Sequence, residues 1–543
     1  MSFRLRYAAF LLLLSPFFLL QHVYAESEAA QEVIIAPSSQ DAIQQFVAAD
    51  STTRRALLNK WPGSIEQLDQ LAAYVAQDQL YSDGAGQTYI LVADDQLQRY
   101  PSQHVVESWP SDIAQVTLVN TLSKALIFAQ AQKKLTSDDA KQRLEAIDIL
   151  EKNLDELDAK SIGALYLAEK NNTVKDRFAQ LKARLDYAQA DTLGKIQAVN
   201  VLKQSNRPDV LAMLETELAQ SHLHPDLKLA LLDAKSSIKT RIQASEWSAH
   251  VFSGLSTASI LLLAALGLAI TYGLLGVINM AHGELIMIGA YTTYVVQSLF
   301  KTYLVGYVDW YLIAAIPAAF MVSALIGMLI ERTVIRPLYG RQLETLLATF
   351  GVSLILMQLV RMIFGAQNVE VSNISWLSGG ISITPSLMLP YNRIAIIVFT
   401  VAVLLLLVYL LNKTRFGLFI RAVTQNRQMA RAVGIHSSRI DMMAFGLGSG
   451  LAGLAGCALA QVGNVGPDLG QNYIIDAFLV VVVGGVGQVW GAVLAALGLG
   501  VSGTVLEIGM GAVLAKIILL VLVILFIQKR PQGLFAIKGR FVE

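Results

Sequence analysis

The chain has 543 residues, a formal net charge of +1 and 54% hydrophobic residues, a high apolar fraction for a soluble protein. Such a length calls for more than one domain, and a charge this near zero offers no electrostatic footprint for nucleic acid. Cys457 is the single cysteine and lies in an apolar run, which excludes a disulfide framework and disfavours thiolate chemistry, since apolar surroundings keep a thiol protonated.

The chain opens with Arg4 and Arg6, then an apolar stretch from Tyr7 to Leu20, then Val23-Tyr24-Ala25 before Glu26. This is the pattern of a secretory signal peptide over residues 1–25, cut after Ala25; an uncleaved anchor helix is the alternative. Either way, residues 26–250 are expected to form an exported, mainly helical domain. Two segments, Arg143–Leu150 and Lys195–Leu202, share one order of basic, aliphatic and alanine positions, and Lys228–Asp233 echoes it. The recurrence suggests stacked helical hairpins of the HEAT-like kind. Residues 83–94 instead combine glycines with a short β-branched run, which predicts a small hairpin among the helices. His222 and His224 lack a further ligand cluster, so a solvated loop is preferred to a metal site.

From residue 251 to 543 the pattern is that of a membrane domain. With roughly 20 apolar residues per span, spans are predicted over residues 254–278, 285–300, 311–330, 345–364, 394–411, 442–462, 474–489, 491–506 and 512–527. The fold class is therefore all-α, a polytopic bundle of about nine spans. The second, seventh and eighth are short enough to be broken or re-entrant. Basic residues set the orientation: Arg332, Arg336, Arg341 and the loop 412–440 fall on one side with Lys529 and Arg530. The positive-inside rule makes that side cytoplasmic, the N-terminal domain periplasmic and the C-terminus cytoplasmic. Trp247, Trp310, Tyr311 and Tyr391 fall at the outer span ends, where interfacial aromatics are expected.

Four motifs stand out. Asn279, His282 and Glu284 open the second span, with Gly289, Ala290 and Tyr291 following. Ionisable groups there are costly unless hydrated or paired, so a pathway or gate and a hydrated loop are both open readings. Glu284 also suits the positive end of its helix. Gly448-Ser-Gly-Leu-Ala-Gly453 is formally a dinucleotide motif, but it sits inside a predicted membrane helix, and Gly446, Gly450 and Gly453 share a face suited to close helix packing. Gly484, Gly485 and Gly487, with Gly491, mark a tight turn or a pathway lining. Finally, Arg421 to Val433 is expected to form one short helix capped by Gly434. Its small and apolar residues, Ala422, Met429, Ala430 and Val433, suit docking in a partner's groove, with Arg427 and Arg431 toward solvent or acidic partner groups; contact with membrane lipid is the alternative. No nucleophile, base and orienting group converge, so no catalytic site is expected.

These pieces together carry a resemblance. Asn279-Met-Ala-His-Gly-Glu284, Gly289-Ala-Tyr291, Arg415-Phe-Gly417, Arg421-Ala422, Gln425-Asn426, Ala430, Gly434-Ile435, Gly484-Gly485 with Gly487, and Arg530-Pro-Gln-Gly-Leu-Phe535 resemble permease subunits of branched-chain amino acid type ABC importers, from about Val251 to Phe535. The long segment before the first span resembles the extended permease of bacterial urea importers. The resemblance implies a transport subunit rather than an enzyme, located in the bacterial inner membrane and working with a second permease, two cytoplasmic ATP-binding subunits and a periplasmic solute-binding protein. ATP and Mg would reside on those partners; this chain has no GxxxxGK[ST] loop of its own. Arg421, Gln425, Asn426, Ala430 and Gly434 would couple to the ATPase, and Ala430→Asp or Gly434→Asp would uncouple transport. Urea is the first expectation for the solute, with branched-chain amino acids or short amides as the alternative. A secondary transporter or channel with an exported sensor domain, using Glu284 or Glu507 to carry protons, is the other class.

Overall fold

The computed structural model describes residues 41–535 apart from residues 85, 93–95, 103, 107, 108, 111, 153, 155, 156, 221, 277, 278, 385 and 386. The signal-peptide segment, residues 1–25, lies outside the described residues. The chain forms two compact units that meet between Arg241 and Ile242.

In the N-terminal unit, α1 (Ala42–Ala48), α2 (Ser51–Asn59) and α3 (Ile65–Ala76) each begin at a side-chain cap: Asp41, Asp50 and Ser64 accept from the backbone N–H of Ile43, Thr53 and Gln67. Phe46, Trp61, Leu68 and Leu71 bury together with Leu122 and Leu126 of α4 (Asn120–Lys134). Between α3 and α4 runs an antiparallel sheet of β1 (Leu80–Ser82), β2 (Thr88–Val92), β3 (Gln96–Arg99), β4 (His104–Val105) and β5 (Ala114–Gln115), in the order β4-β3-β2-β1-β5. The predicted hairpin is its β1–β2 part. The other strands are too short and too poor in β-branched residues to show a strand period.

Six helices follow: α5 (Ala140–Leu150), α6 (Ala159–Ala168), α7 (Asn172–Tyr187), α8 (Thr192–Leu202), α9 (Pro208–Leu218) and the long α10 (Pro225–Leu275), which runs on into the second unit. The recurring segments fall on α5, α8 and α10. In α5 the buried positions are Ala146, Ile147 and Leu150; in α8 the equivalent Ala198, Val199 and Leu202 are buried. The third copy departs from this, because Leu231 is buried while Leu232 is exposed.

A charged network joins these helices from within. Glu151 is buried and its Oε2 meets Arg177 at 3.2 Å and also Arg207. Arg207 also pairs with Asp148 at 2.9 Å and Asp209 at 2.9 Å, and Arg184 reaches Asp209 at 2.6 Å.

The second unit continues with α11 (His282–Tyr303), α12 (Tyr311–Ile330) and α13 (Gln342–Phe364). After a hairpin of β6 (Gly380–Thr384) and β7 (Leu387–Pro390) come α14 (Tyr391–Lys413), the short α15 (Arg415–Gln425) and α16 (Arg427–Ala432), and α17 (Ser437–Ala460). The described helices end with α18 (Leu469–Gly484), α19 (Val489–Met510) and α20 (Ala512–Lys529). Among the described residues seven helical segments are long and apolar enough to cross a membrane, against the nine expected. Outside that set stand α11, whose buried residues run from His282 to Gln297, and α18, of 16 residues. Of the three spans read as short enough to be broken or re-entrant, α11 and α19 are continuous over 22 residues each, and only α18 is short. Tyr311 is a further correction. It is fully buried and its hydroxyl donates to the Ser372 carbonyl at 2.9 Å, so it is not an interfacial aromatic.

The centre of the bundle is α17. Gly446, Gly450 and Gly453 lie against Met328, Phe320 and Ala319 of α12; Gly448 lies against Gly267 of α10, and Gly456 against Ile286 of α11. A Cβ on Gly289 would collide with the backbone of Gly453. The glycine-rich motif is therefore a packing surface that lets three helices approach one another closely.

Two outcomes follow from this packing and this network. Gly453→Leu is expected to destabilise the bundle by about 1–3 kcal/mol or more through overpacking, seen as a lower Tm in detergent, while Met443→Leu on the exposed side leaves it unchanged. Glu151→Ala removes the buried centre of the network while Asp148 and Asp209 still pair with the arginines, so it is expected to cost the N-terminal unit about 1–3 kcal/mol, read by pulse proteolysis of the full-length chain.

Candidate functional site

Helix α10 stops where Gly276 takes a φ of +66°, and α11 begins at His282. Asn279 organises the turn between them: its Oδ1 accepts from the Ala281 N–H at 3.1 Å and its carbonyl from the His282 N–H at 3.3 Å. The Met280 N–H donates to Thr349 Oγ1 of α13 at 3.2 Å, which ties the turn to that helix. Asn279, His282 and Glu284 are all buried to 2% exposure or less. The turn is therefore packed inside the bundle and not an exposed loop.

The three do not form one cluster. His282 turns toward α10, where its Nε2 donates to the Ala264 carbonyl at 3.0 Å and its ring covers Gly267. The proton sits on Nε2 because a carbonyl can only accept. Glu284 faces α13 beside the Ser353 hydroxyl. Tyr291, two turns further along the same face, lies against Phe364 with ring centroids 4.6 Å apart. On α13, Thr345, Thr349 and Ser353 are buried at every fourth position. Sequence reading missed these three, since isolated Ser and Thr are ordinary in an apolar helix. Among the described residues, Asn279 Nδ2, Glu284 Oε2 and the Tyr291 hydroxyl have no hydrogen-bond partner. An unsatisfied buried polar group costs about 1–3 kcal/mol, so this seam keeps unused hydrogen-bonding capacity at a sizeable energetic cost.

A second polar feature lies beside the C-terminal end of α17 and adjoins the seam, since Gly470 packs on Gly283. A cavity of about 530 Å³ is bounded by Ser256 and Ile260 of α10, Arg393 of α14, Leu459 of α17 and the segment 462–473 leading into α18. Its charged groups are Arg393, whose Nη1 donates to Ser253 Oγ at 2.5 Å, and Asp468, whose Oδ1 accepts from Arg361 at 2.6 Å. Asn464 and Asn472 also line it. The signal in the sequence was the recurrence of Asp468, Asn472 and Asp476 every four residues, but it straddled a predicted loop and span and was not read as one face. Asp476 pairs with Lys516 of α20 at 3.6 Å.

The glycines 484, 485 and 487 need no pathway to explain them. Gly485 and Gly487 have φ of +99° and +76° and turn the chain from α18 into α19, while Gly484 packs on Gly491. The C-terminal segment closes over this turn, with the Leu534 N–H donating to the Val483 carbonyl at 2.8 Å.

The loop after α14 also differs from expectation. Asn426, with extended backbone, splits the expected single helix into α15 and α16 and caps the second, accepting from the Met429 N–H at 2.9 Å. Gly434 closes it at a φ of +88°. Arg427 donates to Asp441 of α17 at 3.0 Å and lies 4.8 Å over the Tyr339 ring; Arg431 donates to Ser437 Oγ at 2.8 Å. The acidic partner of Arg427 is thus within the chain. Ala430 is buried here too, so it is not presented for docking, whereas Arg421, Gln425, Asn426, Met429, Val433 and Gly434 are exposed.

An apolar bundle with a buried polar seam, a polar cavity at one end and an exposed loop braced by its own arginines defines a membrane transport protein. The family described as the branched-chain amino acid transport system, permease component, matches residues 250–527, and the chain belongs to it. The permease protein BraD of Pseudomonas aeruginosa, of a high-affinity branched-chain amino acid transport system, is 31% identical over 52% of this chain and 94% of its own length. LivH of Escherichia coli is 28% identical over the same shares, and a probable LivH of Methanocaldococcus jannaschii 28% identical over 51% and 89%. No solved structure matches. The chain is thus a multi-pass inner-membrane transport subunit and not an enzyme, from a class of importer permeases that work with ATP-binding subunits and a solute-binding protein.

Tyr291→Phe removes an unpartnered buried hydroxyl. It is expected to raise stability by about 1 kcal/mol, measured as Tm in detergent, while lowering solute uptake several-fold.

Proposed function

We propose that the chain forms the solute pathway of an ATP-driven importer together with a second permease subunit. Two cytoplasmic subunits would bind ATP and Mg, and a periplasmic binding protein would deliver the solute. The relatives favour branched-chain amino acids as that solute. Urea, the first expectation from sequence, becomes the second reading; the N-terminal unit, which lies outside the family match, favours it. The basic residues of the loop 412–440 support a cytoplasmic loop and C-terminus and a periplasmic N-terminal unit.

The observation that carries the ATP-driven reading is the build of that loop. Arg427 and Arg431 brace α16 against Asp441 and Ser437, so the segment moves with α17 rather than independently. It nevertheless exposes Met429 and Val433, two apolar side chains suited to a partner's groove. Force applied there by an ATP-binding subunit would reach the buried end of α17 and tilt the packed helices as a body. A proton-coupled carrier has no use for such a lever, and Glu507, one of its candidate carboxylates, is exposed.

Labelled leucine and urea uptake at low external concentration, in a deletion strain with and without this gene, is the deciding measurement. Gene-dependent uptake of leucine that excess urea leaves intact is the expected result; the reverse selectivity would establish urea. Val433→Asp is expected to lower uptake at least tenfold at unchanged membrane level, a better probe than Ala430→Asp, which would disturb the chain's own packing. Uptake that collapses with the proton gradient while ATP remains would overturn the importer.

A further inference from the structure

We infer that the cavity between α10, α14, α17 and the start of α18 is a site for an aliphatic α-amino acid in its zwitterionic form. The inference rests on the importer reading above and specifies the chemistry the pathway recognises. The cavity's volume, about 530 Å³, lies in the range of small-molecule sites, roughly 300–1,000 Å³.

Its lining divides into three kinds of group. Arg393 supplies a cation. Among the described residues no carboxylate lies within ion-pair distance of it, and the one hydrogen bond of its guanidinium goes to the neutral Ser253 hydroxyl. A guanidinium has five N–H donors in a planar fork that matches a carboxylate, so most of that fork remains for one. Asp468 supplies an anion. Its Oδ1 is occupied by Arg361, while Oδ2 has no partner among the described residues and is open to an ammonium group. Ile260, Leu459, Val462 and Leu469 supply an aliphatic wall. Among the described residues the side-chain amides of Asn464 and Asn472 have no hydrogen-bond partner, and they complete the polar rim.

A solute with a carboxylate, an ammonium and a branched alkyl group uses all of these. Urea can hydrogen-bond the amides and both charged groups but carries no charge to pair with either. It would leave the guanidinium without a countercharge and the aliphatic wall uncovered, and a site built for charged partners discriminates strongly against solutes that lack them. Nothing in the α11–α13 seam offers this combination, because its unpartnered groups include a carboxylate, an amide and a phenol but no cation. The cavity is thus the place of selection, and the seam, which adjoins it where Gly283 packs on Gly470 and Arg361 pairs with Asp468, adds only uncharged and acidic contacts.

The test is competition against labelled L-leucine bound to the full-length chain in lipid nanodiscs. The competitors are unlabelled leucine, isopentylamine (leucine without its carboxylate), isocaproate (leucine without its ammonium) and urea. Leucine is expected to compete at least roughly tenfold better than either analogue, the scale of losing one charged hydrogen-bond partner, with urea ineffective at the same concentration. Arg393→Gln is expected to abolish the advantage of leucine over isopentylamine, and Asp468→Asn its advantage over isocaproate. Leu459→Trp, which fills the aliphatic side, is expected to weaken leucine without making the amine or the acid better. The competition series on the unaltered chain does not depend on any variant folding. Equal competition by the analogues, displacement by urea, absence of leucine binding, or wild-type selectivity in both charge variants would overturn the site. If gene-dependent leucine uptake in cells persists in that case, the importer stands and only this cavity is wrong; if neither solute is taken up, the importer itself has failed.

Discussion

The distance at which α17 can approach its neighbours governs the membrane unit. Three helices share this one partner, and each contact is made where a glycine removes the Cβ that would otherwise hold the backbones apart. Between apolar helices in lipid there is little hydrophobic drive to associate, so close van der Waals contact and hydrogen bonding must hold them together. The contact of Gly289 with Gly453 sets α11 in the bundle, and with it the depth of the turn carrying Asn279. Gly448 on Gly267 does the same for α10, against which the His282 ring packs. The Ser323 hydroxyl of α12, bonded to the Leu285 carbonyl of α11 at 3.1 Å, adds a polar tie at the same level.

Around this tight centre the remaining helices are loosely held. Only 17% of the most apolar window of α13 and 11% of that of α20 is buried within the chain, against 83% for α17. The unit therefore consists of a rigid core of α10, α11, α12 and α17 and a set of outer helices whose apolar sides face the surroundings. The polar seam lies where core meets outer helix, between α11 and α13. A boundary between a rigid part and a less constrained part is where relative motion costs least, because few interlocked side chains must separate. Unpartnered polar atoms at such a boundary can find partners in one arrangement and lose them in another, which is a physical basis for alternating exposure.

The N-terminal unit is built on a different principle. Its core clusters are smaller, and it gains specificity from charge: Glu151 is enclosed by Arg177 and Arg207, and Arg143 forks onto Glu169 at 2.8 and 2.9 Å. Buried ion pairs of this kind add little net stability, but breaking one is costly, so they favour a single packing of the helices over its near alternatives. The burial of matching residues in α5 and α8 shows two helices built to one pattern, from which α10 diverges at Leu232, still within the N-terminal unit.

The class of the protein was legible in the residue order. Apolar run lengths marked the membrane helices, and the opening motif with the glycine and arginine positions after it marked the family, because both depend on local composition and spacing. The exposed character of Arg421, Gln425, Asn426 and Gly434 was equally readable. The partners of the buried groups were not. That His282 and Glu284, two residues apart, face different helices follows from the helical turn between them, but which helices those are depends on packing. Thr349, Ser353, Arg393 and Asp468 come from distant parts of the chain, and their neighbours are decided by how closely glycine lets α17 draw the others in. Asn426 splitting one expected helix into two, and the burial of Ala430 behind Arg427, likewise depend on Asp441 and Tyr339 being brought beside the loop. Sequence by itself determined that the second half of the chain is a membrane domain, since hydropathy is a property of the run; tertiary structure alone decided which helices are enclosed and which polar groups meet among them, since burial inside a bundle is defined by neighbours.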